Sequence, residues 1–334
     1  MHWLEFLIST GIIVFAGIRL TVFADKLSDE LQLGKVWIGI VLLGIVTSLP
    51  EAVTSLALII SFNANDLAIG NLLGSNNINP MFIVVMDVMY RQGAVTNAIR
   101  PNLSHKVSAR YAVYLVAIVI VDILMNSRFP VLHIGPLSSG SFLIAGCYFV
   151  GMRKLAKLST GQSVIFPSRA QEDARKKSVS RIWIQLFINA VLVIVGSIWL
   201  AKSADIIAEQ TGLGGTFFGT VFLALVTSLP EMVVSLSALR LGSLDLAIGN
   251  IFGSNMTNVF ILFVSGLFHK GGPVLGAVSG AHTITASLSI VLTVVAIKGI
   301  FTRNKKAYFG LGGDSWLMIF FFIFGTSILY FLKP

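Results

Sequence analysis

Two glutamates have the properties of cation-binding residues. Glu51 and Glu231 lie deep in apolar sequence, and each directly follows a proline. A charge at the centre of a bilayer costs about 2.5–3.5 kcal/mol on insertion scales, so a carboxylate there needs a partner, a proton or a cation. No Lys or Arg occupies a matching position. Each proline frees backbone carbonyl oxygens near residues 46–47 and 226–227, and carboxylates beside free carbonyls favour a hard cation.

Further oxygen-bearing side chains accompany each glutamate. Hydroxyl groups lie within one helical turn before each acid, and the next apolar segment carries a serine followed four residues later by an asparagine. Such residues suit a cation site, although they are also typical of helix packing and of back-bonding to the i−4 carbonyl. The predicted ligands are Glu51, Glu231, Asn79, Asn258, Ser48, Ser228, Thr47, Thr227, Ser75 and Ser254.

The other aspartates in or near apolar segments, and the histidines, are not predicted to bind the cation. Asp66 and Asp245 are predicted to cap the helices that they begin. Asp87 and Asp122 are predicted to lie near the membrane surface. The histidines form no HExxH motif, which argues against a zinc protease.

The two glutamates belong to an internal repeat. The motifs TSLPE, DLAIGN and GSN each occur twice, in the same order and with nearly constant spacing between the copies. Identical runs of five and six residues in register exceed what composition produces by chance. The copies are Thr47–Glu51 and Thr227–Glu231, Asp66–Asn71 and Asp245–Asn250, and Gly74–Asn76 and Gly253–Asn255.

The composition predicts an integral membrane protein. The 334 residues are 55% hydrophobic and 12% charged, with a mean hydropathy of +0.86, whereas soluble domains carry about 25% charged residues. Apolar runs of about 20 residues without alternation indicate transmembrane helices rather than barrel strands. About ten spans are predicted, at 4–24, 36–62, 67–90, 108–126, 131–151, 182–203, 215–239, 246–268, 280–301 and 315–332.

The span count predicts two inverted repeats. Five spans, an odd number, place the start of the second half on the other side of the membrane, so the two halves have opposite orientations. Inverted repeats are frequent in secondary transporters, which bind substrate where the repeats meet. The predicted fold is all-α, with five-helix repeats at 1–151 and 182–334 joined by a cytoplasmic linker at 152–181.

The basic residues predict the orientation. The formal net charge is +9, but the Lys and Arg residues concentrate in gaps between apolar runs, which favours the positive-inside rule over nucleic-acid binding. The rule predicts both termini outside and the linker in the cytoplasm. The expected location is the cell (plasma or inner) membrane, as a multi-pass protein. A single cysteine, Cys147, excludes an intrachain disulfide.

The duplicated TSLPE…GNxxGSN pattern resembles the sodium/calcium exchanger family of the calcium/cation antiporter superfamily, over roughly residues 36–86 and 216–265. The resemblance implies ten spans in two inverted five-span repeats, with a central site built from the second, third, seventh and eighth spans. It also implies that Glu51 and Glu231 are acidic calcium ligands, that Asn79 is a third-span amide, and that the Ser and Thr residues above supply hydroxyl or carbonyl oxygens.

The sequence departs from the family pattern at two kinds of position. Asn258 stands where many sodium-coupled members carry Asp, so the predicted site has two carboxylates. Val46 and Val226 stand where many members have Gly before TSLPE.

These residues predict a secondary antiporter, not an enzyme, that exchanges Ca²⁺ for Na⁺ or H⁺ by alternating access without a cofactor. Two ionised glutamates carry −2, which one Ca²⁺ or two protons neutralise, while three Na⁺ leave +1. Transport of Mg²⁺, an ion channel with a glutamate selectivity ring, and an intramembrane hydrolase with paired carboxylates are alternatives. The expected partners are Ca²⁺, a monovalent cation and the lipid bilayer, but not nucleic acid, and the sequence does not identify protein partners.

Overall fold

The computed structural model describes residues 2–90, 93–126, 132–159, 169–210, 216–302, 307–308 and 310–331. In these residues the chain is almost entirely helical, in agreement with the predicted all-α membrane fold. The first half contains α1 (His2–Leu31), α2 (Lys35–Ile38), a π-helical segment (Gly39–Leu43), α3 (Gly44–Thr47), α4 (Leu49–Phe62), α5 (Asn65–Tyr90), α6 (Val95–Ala98), α7 (Leu103–Asn126) and α8 (Ser139–Ser159). The second half contains α9 (Arg169–Gln210), α10 (Thr216–Thr227), α11 (Leu229–Arg240), α12 (Leu244–Gly266), a 3-10 turn (Val274–Gly276), α13 (His282–Thr302) and α14 (Gly313–Phe331).

Two short antiparallel hairpins occupy equivalent places in the two halves. β1 (His133–Ile134) pairs with β2 (Leu137–Ser138) directly before α8. β3 (Ala307–Tyr308) pairs with β4 (Leu311–Gly312) directly before α14. Each half therefore carries the same order of broken second span, long third span, and hairpin before the last helix.

Seven helical segments in the described part of the chain are long and apolar enough to cross a membrane. The other three predicted spans correspond to α5, to α8, and to α10 with α11. α5 is rich in asparagine, and α10 and α11 have 12 residues each because the helix is interrupted between them. The seven segments are His2–Leu31, Lys35–Phe62, Leu103–Asn126, Ser178–Ser203, Leu244–Gly266, His282–Thr302 and Gly313–Phe331.

Some predicted span limits are wrong. The fifth span was expected from residue 131, but α8 begins at Ser139 because the preceding apolar residues form the β1–β2 hairpin around Gly135, whose φ is 59°. α8 continues to Ser159 and α9 begins at Arg169, so helix extends into both ends of the predicted linker at 152–181. Residues 160–168 of that linker lie outside the described residues, and the domain limits stay a prediction.

The broken second spans and the long third spans form the centre of the molecule. α5 packs against α10 and α12, and α12 packs against the π-helical segment and α3, so each third span contacts the second span of the other half. In the most apolar stretch of α12, 83% of the residues are buried. In that of α14 only 17% are buried, so α14 faces outwards. The polar motifs of the repeat therefore meet in the interior, away from lipid.

Glycines allow the backbones of the two halves to touch. A Cβ atom on Gly39 would lie 2.6 Å from the Leu246 carbonyl oxygen, and one on Gly253 would lie 2.6 Å from the Ile40 Cα. Real Cβ atoms do not approach other atoms so closely, so both positions require glycine unless the backbones separate. This contact fixes α12 against the π-helical segment, which α3 separates from the break that precedes Glu51.

Asp66 and Asp245 do not have the predicted capping roles. Asp66 Oδ1 accepts hydrogen bonds from Ser279 N at 2.7 Å and His282 Nε2 at 3.0 Å, so its carboxylate joins α5 to the segment before α13 rather than capping its own helix. Asp245 Oδ1 lies 3.0 Å from His105 Nε2 of α7.

Asp87 and Asp122 lie near the ends of α5 and α7 and are buried within the protein, and their predicted place at the membrane surface stays a prediction. Asp87 is 1% exposed and accepts hydrogen bonds from Val95 N, Gly312 N and Ser315 Oγ at 2.6–2.8 Å. Asp122 is 3% exposed and accepts one from Ser138 Oγ at 2.6 Å. Each carboxylate thus holds a hairpin against a span.

Candidate cation-binding site

A break in each second span positions the two glutamates. α3 ends at Thr47 and α4 begins at Leu49, with φ −84° and ψ 0° at Ser48 between them. α10 and α11 are separated in the same way by Ser228, at φ −82° and ψ 6°. The prolines that follow have no N–H group, so the carbonyls of residues 46 and 226 lose their i+4 donors. Glu51 and Glu231 lie in the first turn of the helix after each break.

The two carboxylates lie in one buried site and are linked crosswise between the repeats. Glu51 Oε1 accepts a hydrogen bond from Ser228 Oγ at 3.2 Å, and Glu231 Oε1 accepts one from Ser48 Oγ at 3.2 Å. Ser75 Oγ of α5 also donates to Glu51 Oε1, at 3.4 Å. Both glutamates are 0% exposed, and their carboxylates are close enough to repel each other. Neither side chain faces lipid.

Four buried oxygens of the predicted ligands receive no hydrogen bond in the described part of the structure. They are Glu51 Oε2, Glu231 Oε2, Asn79 Oδ1 and Asn258 Oδ1. A buried acceptor without a donor costs about 1–3 kcal/mol, and more when it is charged. A cation among the four oxygens would remove that cost. No group of three or more His, Cys, Asp or Glu side chains among the described residues offers an alternative metal site.

Two further asparagines hold the amides of Asn79 and Asn258 in place. Asn79 Nδ2 donates to Asn255 Oδ1 at 2.9 Å, and Asn258 Nδ2 donates to Asn76 Oδ1 at 3.1 Å. Asn76 and Asn255 also donate to each other's backbone carbonyl, both at 3.2 Å. The amide nitrogens of Asn79 and Asn258 are thus engaged, and their oxygens are the atoms left for a ligand.

The threonine hydroxyls form hydrogen bonds with the opposite repeat and are not left without a partner. Thr47 Oγ1 donates to Leu43 O at 2.9 Å and lies 3.2 Å from Asn250 Oδ1. Thr227 Oγ1 lies 3.1 Å from Asn71 Oδ1. If either threonine binds an ion, the ligand would therefore be its backbone carbonyl oxygen. The hydroxyls fasten each helix break to the third span of the other half.

Ser254 has a similar packing role. Its Oγ lies 3.3 Å from Thr47 Oγ1 and 3.4 Å from Gly44 O. The structure therefore brings all ten predicted ligands to the centre of the molecule. Seven of them carry the carboxylate, amide and serine contacts described above, namely Glu51, Glu231, Asn79, Asn258, Ser48, Ser228 and Ser75.

The sequence analysis did not single out Asn71, Asn76, Asn250 and Asn255. All four are buried, and all four lie in the duplicated GN and GSN motifs. The signal that identifies them is a polar amide repeated at equivalent positions of two apolar helices, where packing alone would favour an apolar side chain.

The chain is similar to known proteins over most of its length. The family model described as "Sodium/calcium exchanger protein" matches residues 1–153 and 181–332. Inner membrane protein YrbG of Escherichia coli (strain K12) is 28% identical over 97% of this chain and 95% of its own length. Sodium/calcium exchanger MaX1 of Methanosarcina acetivorans is 33% identical over 34% of this chain and 33% of its own length.

The fold is also similar to a solved structure. The sodium-calcium exchanger NCX_Mj, soaked with 10 mM Na⁺ and zero Ca²⁺, aligns with a TM-score of 0.71 at 19% identity over 99% of both chains. A likeness over the full length of both chains supports the ten-helix fold with inverted repeats.

Proposed function

The chain belongs to the sodium/calcium exchanger family, and from that premise we propose that it exchanges Ca²⁺ for Na⁺ at the site between Glu51 and Glu231. The chain is a multi-pass membrane protein of a transporter family. The observation that carries the proposal is the set of four buried oxygens without donors, two of them on carboxylates. Ca²⁺ takes six to eight oxygen ligands, and carboxylates, amide oxygens and carbonyls are all suitable.

The charge of the site suits the exchange. The two ionised glutamates carry −2 and are neutralised by one Ca²⁺. Na⁺ is also a hard cation that binds oxygen, and it can use the same carboxylate, amide and carbonyl groups. The transported ions are substrates, and we propose no resident cofactor.

The symmetry of the site supports alternating access. Each repeat contributes one glutamate, one helix break and one amide, and each glutamate accepts a hydrogen bond from the serine of the other repeat. Related half-sites with opposite orientations give two equivalent routes, one to each side of the membrane. Because both carboxylates are fully buried, the arrangement described here corresponds to a closed site.

A channel and a hydrolase have less support. The exchangers named above are transporters by name, and none of the relatives named above is described as a channel or a hydrolase. Acid–base chemistry with two carboxylates depends on environments that differ. Here Glu51 and Glu231 each accept a hydrogen bond at 3.2 Å from the serine at the helix break of the other repeat.

The orientation follows from the basic residues. We propose that both termini are outside and that the linker at 152–181 is cytoplasmic, in the plasma or inner membrane. The E. coli relative is named an inner membrane protein, which is consistent with this location.

Calcium flux in proteoliposomes tests the function. We expect ⁴⁵Ca²⁺ uptake driven by an outward Na⁺ gradient, and little uptake driven by a pH gradient alone. Uptake driven only by the pH gradient would reassign the coupling ion to H⁺. Uptake without any counter-ion gradient dependence would contradict antiport.

Matched variants test the site. Glu51→Gln and Glu231→Gln remove one carboxylate each from the centre, whereas Glu5→Gln removes one near the start of α1. We expect the first two changes to abolish Na⁺-driven Ca²⁺ uptake and the third to preserve it. Full exchange by Glu51→Gln would show that the site assignment is wrong.

A further inference from the structure

A second polar feature lies away from the central site. A groove of about 340 Å³ runs between α7 and α13, and its cationic lining consists of Lys106, Arg110 and Lys298. All three side chains are exposed on the outer surface of the helix bundle. Lys106 and Arg110 are four residues apart on α7, so they lie on one helix face about 6 Å apart along the axis. Lys106 Nζ lies 5.7 Å from the centre of the Phe301 ring of α13, which brings the start of α7 beside the end of α13.

The three cations have no anionic partner in the part of the chain that the structure describes. The ion pairs found there involve Lys35 and histidines, and none includes a residue of this groove. Cationic side chains on a lipid-facing surface are costly unless they reach the headgroup region or meet an anion. Three such charges that line one groove therefore define a site for negative charge.

The groove continues as an apolar surface towards the middle of the bilayer. Val113 follows Arg110 on α7 by one turn, and Val294 and Ile297 precede Lys298 on α13. Val294 is 45% exposed and lies within α13, which is long and apolar enough to span a membrane. Since the cations lie nearer the helix ends, the groove is cationic at the membrane surface and apolar below it.

We propose that this groove binds an anionic phospholipid, with the lipid phosphate between the three cations and an acyl chain along the valines and Ile297. The charge complementarity selects an anion, and the apolar wall selects a molecule with a hydrocarbon chain. Basic pockets between transmembrane helices bind lipid headgroups in this way. In the proposed orientation the groove opens on the cytoplasmic leaflet. A free phosphate ion would use the cations but would leave the apolar wall without a role.

Native mass spectrometry of the full chain tests the site with phosphatidylglycerol as the anionic probe and phosphatidylcholine as the neutral one. The triple variant Lys106→Gln, Arg110→Gln, Lys298→Gln removes the cations. The control variant Lys202→Gln, Arg240→Gln, Lys270→Gln removes three exposed charges elsewhere. A basic residue near a membrane surface contributes about fivefold to anionic-lipid binding, so we expect roughly 100-fold weaker phosphatidylglycerol retention in the triple variant. We expect wild-type retention in the control.

A separate variant tests the apolar wall without changing charge. Val294→Trp fills the groove from an exposed position, and we expect it to weaken phosphatidylglycerol retention about tenfold. Equal phosphatidylglycerol retention by the wild type and the triple variant would overturn the proposal. The three cations would then extend into the headgroup region without binding a lipid in the groove. Displacement of phosphatidylglycerol by millimolar inorganic phosphate, together with wild-type retention by Val294→Trp, would also overturn it, because the ligand would then be a free anion.

Discussion

The asparagine pair Asn76 and Asn255 offers a sharp test of how the central site is oriented. Asn255→Ala removes the acceptor of Asn79 Nδ2, at 2.9 Å, and the donor to the Asn76 carbonyl, at 3.2 Å. Each lost hydrogen bond costs about 1 kcal/mol of stability, so the free energy of unfolding should fall by roughly 2 kcal/mol. The Asn79 amide is then free to rotate and to turn its NH₂ group towards the cation.

The expected effect on binding is larger than that on stability. Partners that orient a metal ligand typically contribute 10- to 100-fold in affinity, so we expect Ca²⁺ affinity to fall by that factor in Asn255→Ala. The effect should be repeated in Asn76→Ala, which releases the Asn258 amide in the same way.

Isothermal titration of Ca²⁺ into the purified protein measures the effect, with a thermal unfolding curve recorded for each variant. Asn77→Ala is the control, because Asn77 is a buried asparagine next to Asn76 in α5 and, among the described residues, has no hydrogen bond to the other asparagines of the site. Equal losses of affinity in Asn77→Ala and Asn255→Ala, or no loss in Asn255→Ala, would refute the positioning role.

Two further changes test the packing that supports the site. Gly253→Ala should lower the thermal unfolding temperature in detergent by several degrees, because its Cβ would lie 2.6 Å from the Ile40 Cα. Gly11→Ala, which meets no atom within 4 Å, should be neutral or stabilising by up to about 1 kcal/mol, and an equal loss in both variants would contradict the close-contact argument. Asp87→Asn should destabilise by about 1.5–3 kcal/mol, because a carboxylate that accepts from Val95 N and Gly312 N becomes an amide with one acceptor oxygen. Unchanged chemical denaturation of Asp87→Asn would show that the β3–β4 hairpin does not depend on this carboxylate.

The sequence alone predicts the features that depend on local chemistry. Pro50 predicts that the preceding turn is disturbed, and the structure has the break at Ser48, two residues before the proline. The duplication predicts that Glu51 and Glu231 have equivalent surroundings, and each accepts a hydrogen bond from the other repeat's serine. Apolar length predicts the helices, including α5, which contains Pro80.

Features that depend on contacts between residues far apart in the chain could not be predicted from the sequence. Asn76 and Asn255 are separated by 179 positions, and their reciprocal hydrogen bonds exist only because α5 and α12 pack together. Asp87 has apolar neighbours in sequence, and its three donors come from residues 95, 312 and 315. Hydropathy also fails to distinguish an apolar hairpin from the start of a helix, which explains the early start expected for α8.

The central claim is that Glu51 and Glu231 share one cation. Anomalous diffraction from crystals of the protein grown with Ca²⁺ tests it directly. The account predicts a single strong peak at about 2.3–2.6 Å from carboxylate oxygens of both glutamates. A peak bound to one glutamate alone, or to neither, would contradict it.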